Sequence, residues 1–405
     1  MRAGGTPTRG APRRAPAKKA VRRAPRADGG RRGGSVAPDR SDPPRTWGRG
    51  VKAAAATSAS NAPRGPSSAE PKDEISVVIV SWNACAHLRR CLASLEATAG
   101  ALLREVVVVD NASVDGSPDM VEREFPRVRL VRSPVNLGFA AGVNLGLRHV
   151  SAPGVAIVNS DVIVQPGCLQ ALRAALAAAP SVGLAGPRIL GPGGQVQGSC
   201  RRFPTVWNYI CRTFALDRLL GRWALFSGHE MRHWSHDTPL EAEVLSGCFW
   251  LARRAAIDDV GTLDERFFFY MEDVDWCRRF RERGWKRLFV PEAMAVHHGG
   301  GSTANEPLRY SVQYHRAGLA YWHKYGGLAG AIGYRTLALL HHGLRGSLRL
   351  AGTALPRGRT RAARDKLAED AVCLRWLLGR DRAAPGVRVP AAAAPRGTGH
   401  LAGRP

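Results

Sequence analysis

The chain has 405 residues, 44% of them hydrophobic, an ordinary globular share that excludes disorder along the whole length and leaves room for two or three domains. It carries 59 Lys and Arg against 33 Asp and Glu, a formal net charge of +26. The excess sits at the ends, with 16 basic and 4 acidic side chains in residues 1–70 and 11 and 4 in residues 351–405. The middle is only mildly basic, which argues against a nucleic-acid partner.

Residues 1–73 are mostly Arg, Ala, Pro, Gly and Ser. They cannot bury enough apolar surface to offset backbone entropy and read as a disordered basic arm, as does a tail at 384–405. The 8 cysteines form no CxxC pair, and several lie in apolar runs, where a thiol acts as a small buried hydrophobe. No apolar run reaches the roughly 20 residues of a membrane span, and no signal-peptide core follows the basic start. The expectation is a cytoplasmic protein.

The pattern changes at Glu74. Ile75–Ser81 is a β-branched run typical of a strand buried on both faces. Residues 84–97 have helical spacing, with Leu88, Cys91, Leu92 and Leu95 on one side. Further strands are expected at Glu105–Asp110, Val128–Arg132 and Val155–Asn159, separated by amphipathic stretches at 117–124, 139–149 and 167–179. That alternation predicts an α/β fold with an open, mostly parallel sheet covered on both faces. Beyond it, Trp207–Trp223 reads as helical, 243–252 as one strand, 273–283 as a helix and Arg287–Val290 as a strand. From Pro307 to about Leu350 the chain reads as helical.

In such sheets ligands bind beyond the carboxyl ends of the strands. Ser81-Trp82-Asn83 follows the first strand, Asp110-Asn111 ends the second, and Asn159-Ser160-Asp161 ends the fourth. Asp110 and Asp161 therefore come to one edge, where carboxylates repel unless a cation or a donor-rich ligand lies between them. Asn136, Gly138 and Asn144 lie in a Gly-rich helix opening between these strands. The densest cluster is Glu272-Asp273-Val274-Asp275, after the aromatic block Phe267-Phe268-Phe269-Tyr270. It is either favourable charge at a helix start or a carboxylate made basic by desolvation and like-charged neighbours. His297-His298 follows a short strand, and at most one of the two can face a shared metal.

Together these blocks resemble the family 2 inverting glycosyltransferases, most closely their rhamnosyltransferase-like branch, over roughly residues 74–325. The resemblance rests on Ser81-Trp82-Asn83, Asp110-Asn111-x-Ser113-x-Asp115-Gly116-Ser117, Asn136-x-Gly138-Phe139-Ala140-x-Gly142-x-Asn144, Asn159-Ser160-Asp161, Glu272-Asp273-x-Asp275-Trp276-x-x-Arg279 and His297-x-x-Gly300-x-Ser302, in that order. It implies a GT-A-like domain over 74–305 with a helical extension over 306–383, and single-displacement transfer of a sugar from a nucleoside-diphosphate donor to a glycan or lipid-linked saccharide acceptor.

The resemblance also assigns roles. Asp273 would be the general base, and Asp110 would read the nucleotide. Asp161, with His297 assisting, would hold Mg²⁺ or Mn²⁺ on the diphosphate, although the first position of the acidic signature is Asn159. Ser81, Asn83, Asn111, Asn136, Gly138 and Asn144 would complete the donor site. Gly247, Trp250, Glu272 and Asp275 would face the acceptor.

Two other classes remain open on the residues alone. A nucleotidyltransferase would need a Gly-rich, Lys- or Arg-bearing loop after the first strand, which Ser81–Leu88 does not supply. A non-catalytic basic scaffold has no use for acids at three separate element ends. Finally, Arg309–Arg349 interleaves Tyr310, Tyr314, Tyr321, Trp322, Tyr325 and leucines with cations, a composition suited to peripheral contact with an anionic membrane surface.

Overall fold

The computed structural model describes residues 74–380 apart from 228, 232–233, 301–305 and 354–359. The expected basic arm and tail lie outside the described residues, as does Ser302.

The chain begins with β1 (Ile75–Ser81), α1 (Cys85–Ala99), β2 (Leu103–Asp110), α2 (Ser117–Glu124), β3 (Arg129–Arg132), α3 (Gly138–Leu147) and β4 (Gly154–Asn159). It continues through β5 (Val162–Val164), α4 (Cys168–Ala178), β6 (Val182–Leu190), β7 (Val196–Gln197) and β8 (Cys200–Arg201). Three short helices follow, α5 (Val206–Thr213), α6 (Leu216–Leu219) and α7 (Ala224–Ser227). Next come β9 (Leu240–Glu241), β10 (Val244–Leu245), β11 (Phe249–Arg253), α8 (Arg254–Val260), α9 (Glu272–Glu282) and β12 (Lys286–His297). Helices α10 (Pro307–Gly352) and α11 (Arg361–Leu377) close the described chain.

The main sheet runs β3-β2-β1-β4-β11-β6-β12-β5. Its first four strands are parallel, β11 is antiparallel between β4 and β6, and β12 is parallel to β6. This is the mostly parallel α/β architecture the sequence anticipates. Strand periodicity splits the core in two. Ile75, Val77 and Ile79 of β1 face a cluster that includes α1 and α4 residues, while Val78 faces one built with α3 and α9. Each fully buried valine or isoleucine contributes roughly 1.5–3 kcal/mol, so β1 is fixed from both faces.

Two expectations change, and a third, the helical C-terminal stretch, holds with a kink. The stretch 243–252 is not one strand: β10 and β11 are separated by Ser246–Cys248, and the Trp250 indole N–H donates back to the Leu245 carbonyl at 3.1 Å. The helical stretch at 207–223 is broken at Ala215, which has φ 56°. The long C-terminal helix is interrupted at Gly327 (φ 60°, ψ −157°). There the chain folds back on itself, because His315 lies 2.8 Å from His342 and a side chain on Gly318 would strike the Tyr334 hydroxyl. Tyr310 and Tyr321 are buried in this arrangement, and Tyr314, Trp322 and Tyr325 pack against the sheet-side core. The aromatic residues of 309–349 thus belong mainly to the protein interior. Among the described residues no helix is long and apolar enough to cross a membrane.

Candidate active site

The parallel strands end together. In register, Ser81 lies opposite Asp110 and Val80 opposite Asn159. Asp110 is buried, with one carboxylate oxygen accepting from the Ser113 N–H at 3.1 Å. Its Oδ1 and the neighbouring Ser81 Oγ are buried without a hydrogen-bond partner among the described residues. Buried polar groups are rarely left so, and both suit a ligand that offers donors, although neither residue lines the sheet-edge cavity.

The next wall is the α3 entrance. Asn111 donates from its amide to the Gly138 carbonyl at 2.9 Å, and Asn136 accepts from the Gly138 N–H at 2.9 Å. Gly138 has φ +82°, and a Cβ there would lie 2.3 Å from the Phe268 carbonyl oxygen. That closeness lets the Phe139 N–H donate to the same carbonyl at 2.7 Å. Asn111, Asn136 and Gly138 line a cavity of about 250 Å³ with Asp161, His297, Trp82 and the Phe268–Tyr270 block.

Asp161 and His297 face each other, with Oδ1 3.3 Å from Nε2. The Gln197 amide N–H donates to the His297 carbonyl at 2.7 Å, which can only accept. The Gln197 Oε1 therefore meets His297 Nδ1, at 3.0 Å, and hydrogen-bond logic assigns the proton of a neutral ring to Nδ1. In that tautomer Nε2 faces the carboxylate oxygen with a lone pair. One imidazole nitrogen and one carboxylate oxygen so opposed, with the outer nitrogen held by a second residue, is a donor set that fits a divalent ion.

The third wall comes from α9. Tyr270 and Met271 have φ 71° and 68°, a conformation costing about 1–2 kcal/mol each for residues with a Cβ. They turn the aromatic block into the first turn of α9, which presents Glu272, Asp273 and Asp275. Asp273 Oδ2 accepts from Arg201 at 3.2 Å, and Oδ1 accepts from the Val274 N–H at 2.8 Å. Glu272 is buried, and burial followed by the Asp273 charge pushes its carboxyl well above the usual range. Gly247 sits against Asp273, since a Cβ there would be 3.4 Å from the aspartate Cβ. Cys248, next in the chain, links the two halves. Burial pushes its thiol up to about 11, with Asp161 and Asp273 both adding to the rise. The Asn159 N–H donates to the Cys248 carbonyl at 2.9 Å, so the Asn159–Asp161 turn and Asp273 flank one loop, although Asp273 does not line the 250 Å³ cavity.

Four expected site residues are engaged elsewhere. Asn83 accepts from the Val114 N–H at 2.8 Å and braces the loop after β2. Asn144 clamps the 263–265 loop through both Leu263 backbone groups, at 2.8 and 3.0 Å. Trp250 is fully buried against Trp276. Asp275, also fully buried, is held by Arg279 at 2.9 Å, Lys324 at 2.5 Å and the Tyr325 hydroxyl at 2.8 Å. These four hold the site's walls in place. Conversely, Gln197, Arg201 and Tyr310 carry or line the site without any signal in their local sequence. Only their positions across the β7–β8 segment and α10 reveal them.

Residues 76–261 match the family model Glycosyl transferase family 2. Over 259 residues the chain is 32% identical to the N-acetylglucosaminyl-diphospho-decaprenol L-rhamnosyltransferase of Mycobacterium tuberculosis, covering 60% of this chain and 82% of that one. It is 30% identical over 235 residues to the pre-mycofactocin glycosyltransferase of the same organism, covering 58% of this chain and 44% of that one. Among solved structures, the mannosyltransferase PcManGT from Pyrobaculum calidifontis, in complex with GDP-Man and Mn²⁺, is similar at a TM-score of 0.46 and 17% identity, covering 76% of this chain and 88% of that one. The chain belongs to glycosyltransferase family 2 and is rhamnosyltransferase-like. The nucleotidyltransferase and scaffold alternatives are thereby set aside.

Proposed function

We propose that this protein is an inverting glycosyltransferase of cell-surface polysaccharide synthesis. It would move a sugar, rhamnose by similarity, from a nucleoside diphosphate to a hydroxyl of a glycan or lipid-linked acceptor. The opposed Asp161, just past β4, and His297, at the end of β12, carry this reading, because together they could hold the divalent cation that a donor diphosphate needs at that edge. The name of the Mycobacterium tuberculosis relative supports a lipid-linked acceptor.

In this reading the buried Asp110 Oδ1 and Ser81 Oγ bind nucleoside donors. Asn111 and Asn136 keep Gly138 turned so that backbone and donor approach closely. Asp161 and His297 would hold Mg²⁺ or Mn²⁺, which when bound supplies Lewis-acid stabilisation to the leaving diphosphate. Asp273 takes the proton of the acceptor hydroxyl as its oxygen bonds to the sugar C1 and the C1–O bond to the diphosphate breaks. Arg201 orients Asp273 for that role, while the raised Glu272 carboxyl and the cations paired with Asp275 keep negative charge from crowding Asp273 at the helix entrance. The enzyme would work in the cytoplasm, peripherally on the membrane.

A panel of nucleotide sugars tested for thermal protection, with and without Mn²⁺, checks the reading, since a native-state ligand raises apparent stability by mass action. One nucleotide sugar should protect the parent chain more with Mn²⁺, and Asp161→Ala should lose that increment. Protection by none, or an Mn²⁺ increment unchanged in Asp161→Ala, would overturn it.

A further inference from the structure

A second cavity, about 570 Å³, lies among α5, α10 and α11. Arg212, Arg218, Arg345, Arg349 and Lys366 line it against two carboxylates, Glu369 and Asp370. Both acids are engaged: Asp370 accepts from Arg349 and from His342, and Glu369 accepts from the Ser311 hydroxyl at 2.6 Å. Arg212 donates to the Tyr314 hydroxyl at 3.0 Å, and two more carboxylates, Asp217 and Glu230, line a pocket of about 170 Å³ that shares Arg212, Arg218 and Arg345 with this cavity. Four carboxylates against five cations still leave positive charge in excess, and its neighbours feel it. Burial, then Arg218, Arg349 and Arg212, hold the Arg345 guanidinium below its usual value. Burial, His342 and the nearby arginines hold His341 down at about 3, and burial, His342, Arg212 and His341 bring His315 to about 3.

Cations crowded in this way destabilise the fold unless an anion joins them. A metal ion is a poor occupant. The His315, His342 and Cys373 donor atoms do lie within 4.8 Å of one another. However, the two rings already meet at 2.8 Å, with their outer nitrogens held by Tyr334 at 3.0 Å and Asp370 at 2.9 Å. The surrounding arginines would also oppose a dication. Two further features narrow the anion. Tyr270 and Tyr310 line both this cavity and the sheet-edge cavity, so a ligand here reaches towards the candidate active site. The helices that supply the arginines also expose Phe214, Leu219, Leu340 and Leu348, apolar surface beside a cationic cavity.

We propose that this cavity binds the diphosphate of a polyprenyl-diphosphate-linked acceptor, with the prenyl stem along the exposed leucines and the sugar directed past Tyr270 and Tyr310. The proposal rests on the glycosyl-transfer reading and gives its acceptor a site separate from the donor's. The same arginines could instead take the diphosphate of a nucleotide, so the test separates the two sources.

Isothermal titration of the full chain with farnesyl diphosphate as one probe and a nucleoside diphosphate with Mn²⁺ as the other decides it. Arg345→Gln should weaken farnesyl diphosphate binding about tenfold, the scale of one charge-assisted hydrogen bond, and leave the nucleoside diphosphate unchanged. Arg218→Gln, at an exposed position, should act in the same direction and serves if Arg345→Gln folds poorly. Both probes should bind the parent chain together. No farnesyl diphosphate binding by the parent, equal binding in both variants, or competitive displacement by the nucleoside diphosphate would overturn the proposal. None of these outcomes depends on sugar transfer, so failure of the glycosyltransferase reading would show separately, in the nucleotide-sugar panel.

Discussion

Gln197 determines which nitrogen of His297 faces Asp161. Its amide N–H donates to the His297 backbone carbonyl at 2.7 Å, which turns its oxygen to Nδ1 at 3.0 Å. The imidazole thereby presents Nε2 to the Asp161 carboxylate at 3.3 Å. Outer partners of this kind hold the ring in the tautomer that can ligate.

The first prediction follows from that contact. Gln197→Leu should lower Mn²⁺-dependent affinity for nucleoside diphosphate by about 10- to 100-fold, the usual range for such partners. Metal-independent nucleotide binding should remain. Calorimetric titration with and without Mn²⁺ checks this, and an unchanged Mn²⁺ increment would remove Gln197 from the role.

Asp273→Asn should lower transfer by roughly 10²–10⁴-fold, the contribution of a positioned base, with donor affinity unchanged. The isosteric amide keeps the volume beside Gly247 but cannot accept the acceptor's proton. Single-turnover transfer and nucleotide titration on one preparation separate the two effects. Transfer near the parent rate would assign the base elsewhere.

How much of this was legible follows from the kind of signal each residue carries. Strands β1, β2 and β4 announce themselves because both faces are buried and only β-branched and aliphatic residues fit. Strand β6 gives no such signal. Its Val182–Leu190 segment contains Gly183, Gly186 and Pro187, residues that local propensity assigns to turns. Gly183 is tight against Phe280 and Ala256, and Gly186 against Leu245, so tertiary packing overrides propensity. Pro187 lies where the pairing with β12 shifts register. In the site, Asp110 and Asp161 can be placed from strand ends alone, whereas only the resemblance singles out His297 from His298. Asp275 shows the limit of reading a cluster: one residue beyond Val274, it points at Lys324 of α10, a partner 49 positions away. Gln197 and Arg201 escaped for the same reason, since their meaning lies wholly in what the fold sets opposite them.

Glu272 gives the pH prediction. Its carboxyl is raised well above its ordinary 4.5 by burial and by Asp273. A carboxyl whose folded value is raised favours folding below its unfolded value, and that stability is lost as pH rises towards the folded value. The parent chain should therefore lose stability on this account as pH climbs from about 4.5, whereas Glu272→Gln, neutral throughout, should not. Melting temperatures of the two, matched near pH 4, should diverge by pH 8 with the variant the more stable. A constant difference across that range would mean that Glu272 does not titrate there.

The last prediction concerns the membrane. With Tyr310 and Tyr321 buried, any contact with a bilayer falls to the surface that remains exposed. That surface includes Leu219 on α6, Leu225 on α7 and Trp223 in the turn between them, which are 76%, 64% and 56% exposed, and Arg218 and Arg222 beside them are exposed too. Cations next to apolar side chains suit the headgroup boundary, and each basic residue near an anionic surface contributes about 1 kcal/mol, screened by salt. The chain should co-sediment with anionic vesicles at low salt, less with neutral ones, and release as salt rises. Trp223→Ser with Leu225→Ser should reduce recovery on anionic vesicles severalfold, because the apolar contribution is lost while the charge is kept. Equal recovery on neutral and anionic vesicles, or none on either at low salt, would show that this face does not meet a membrane.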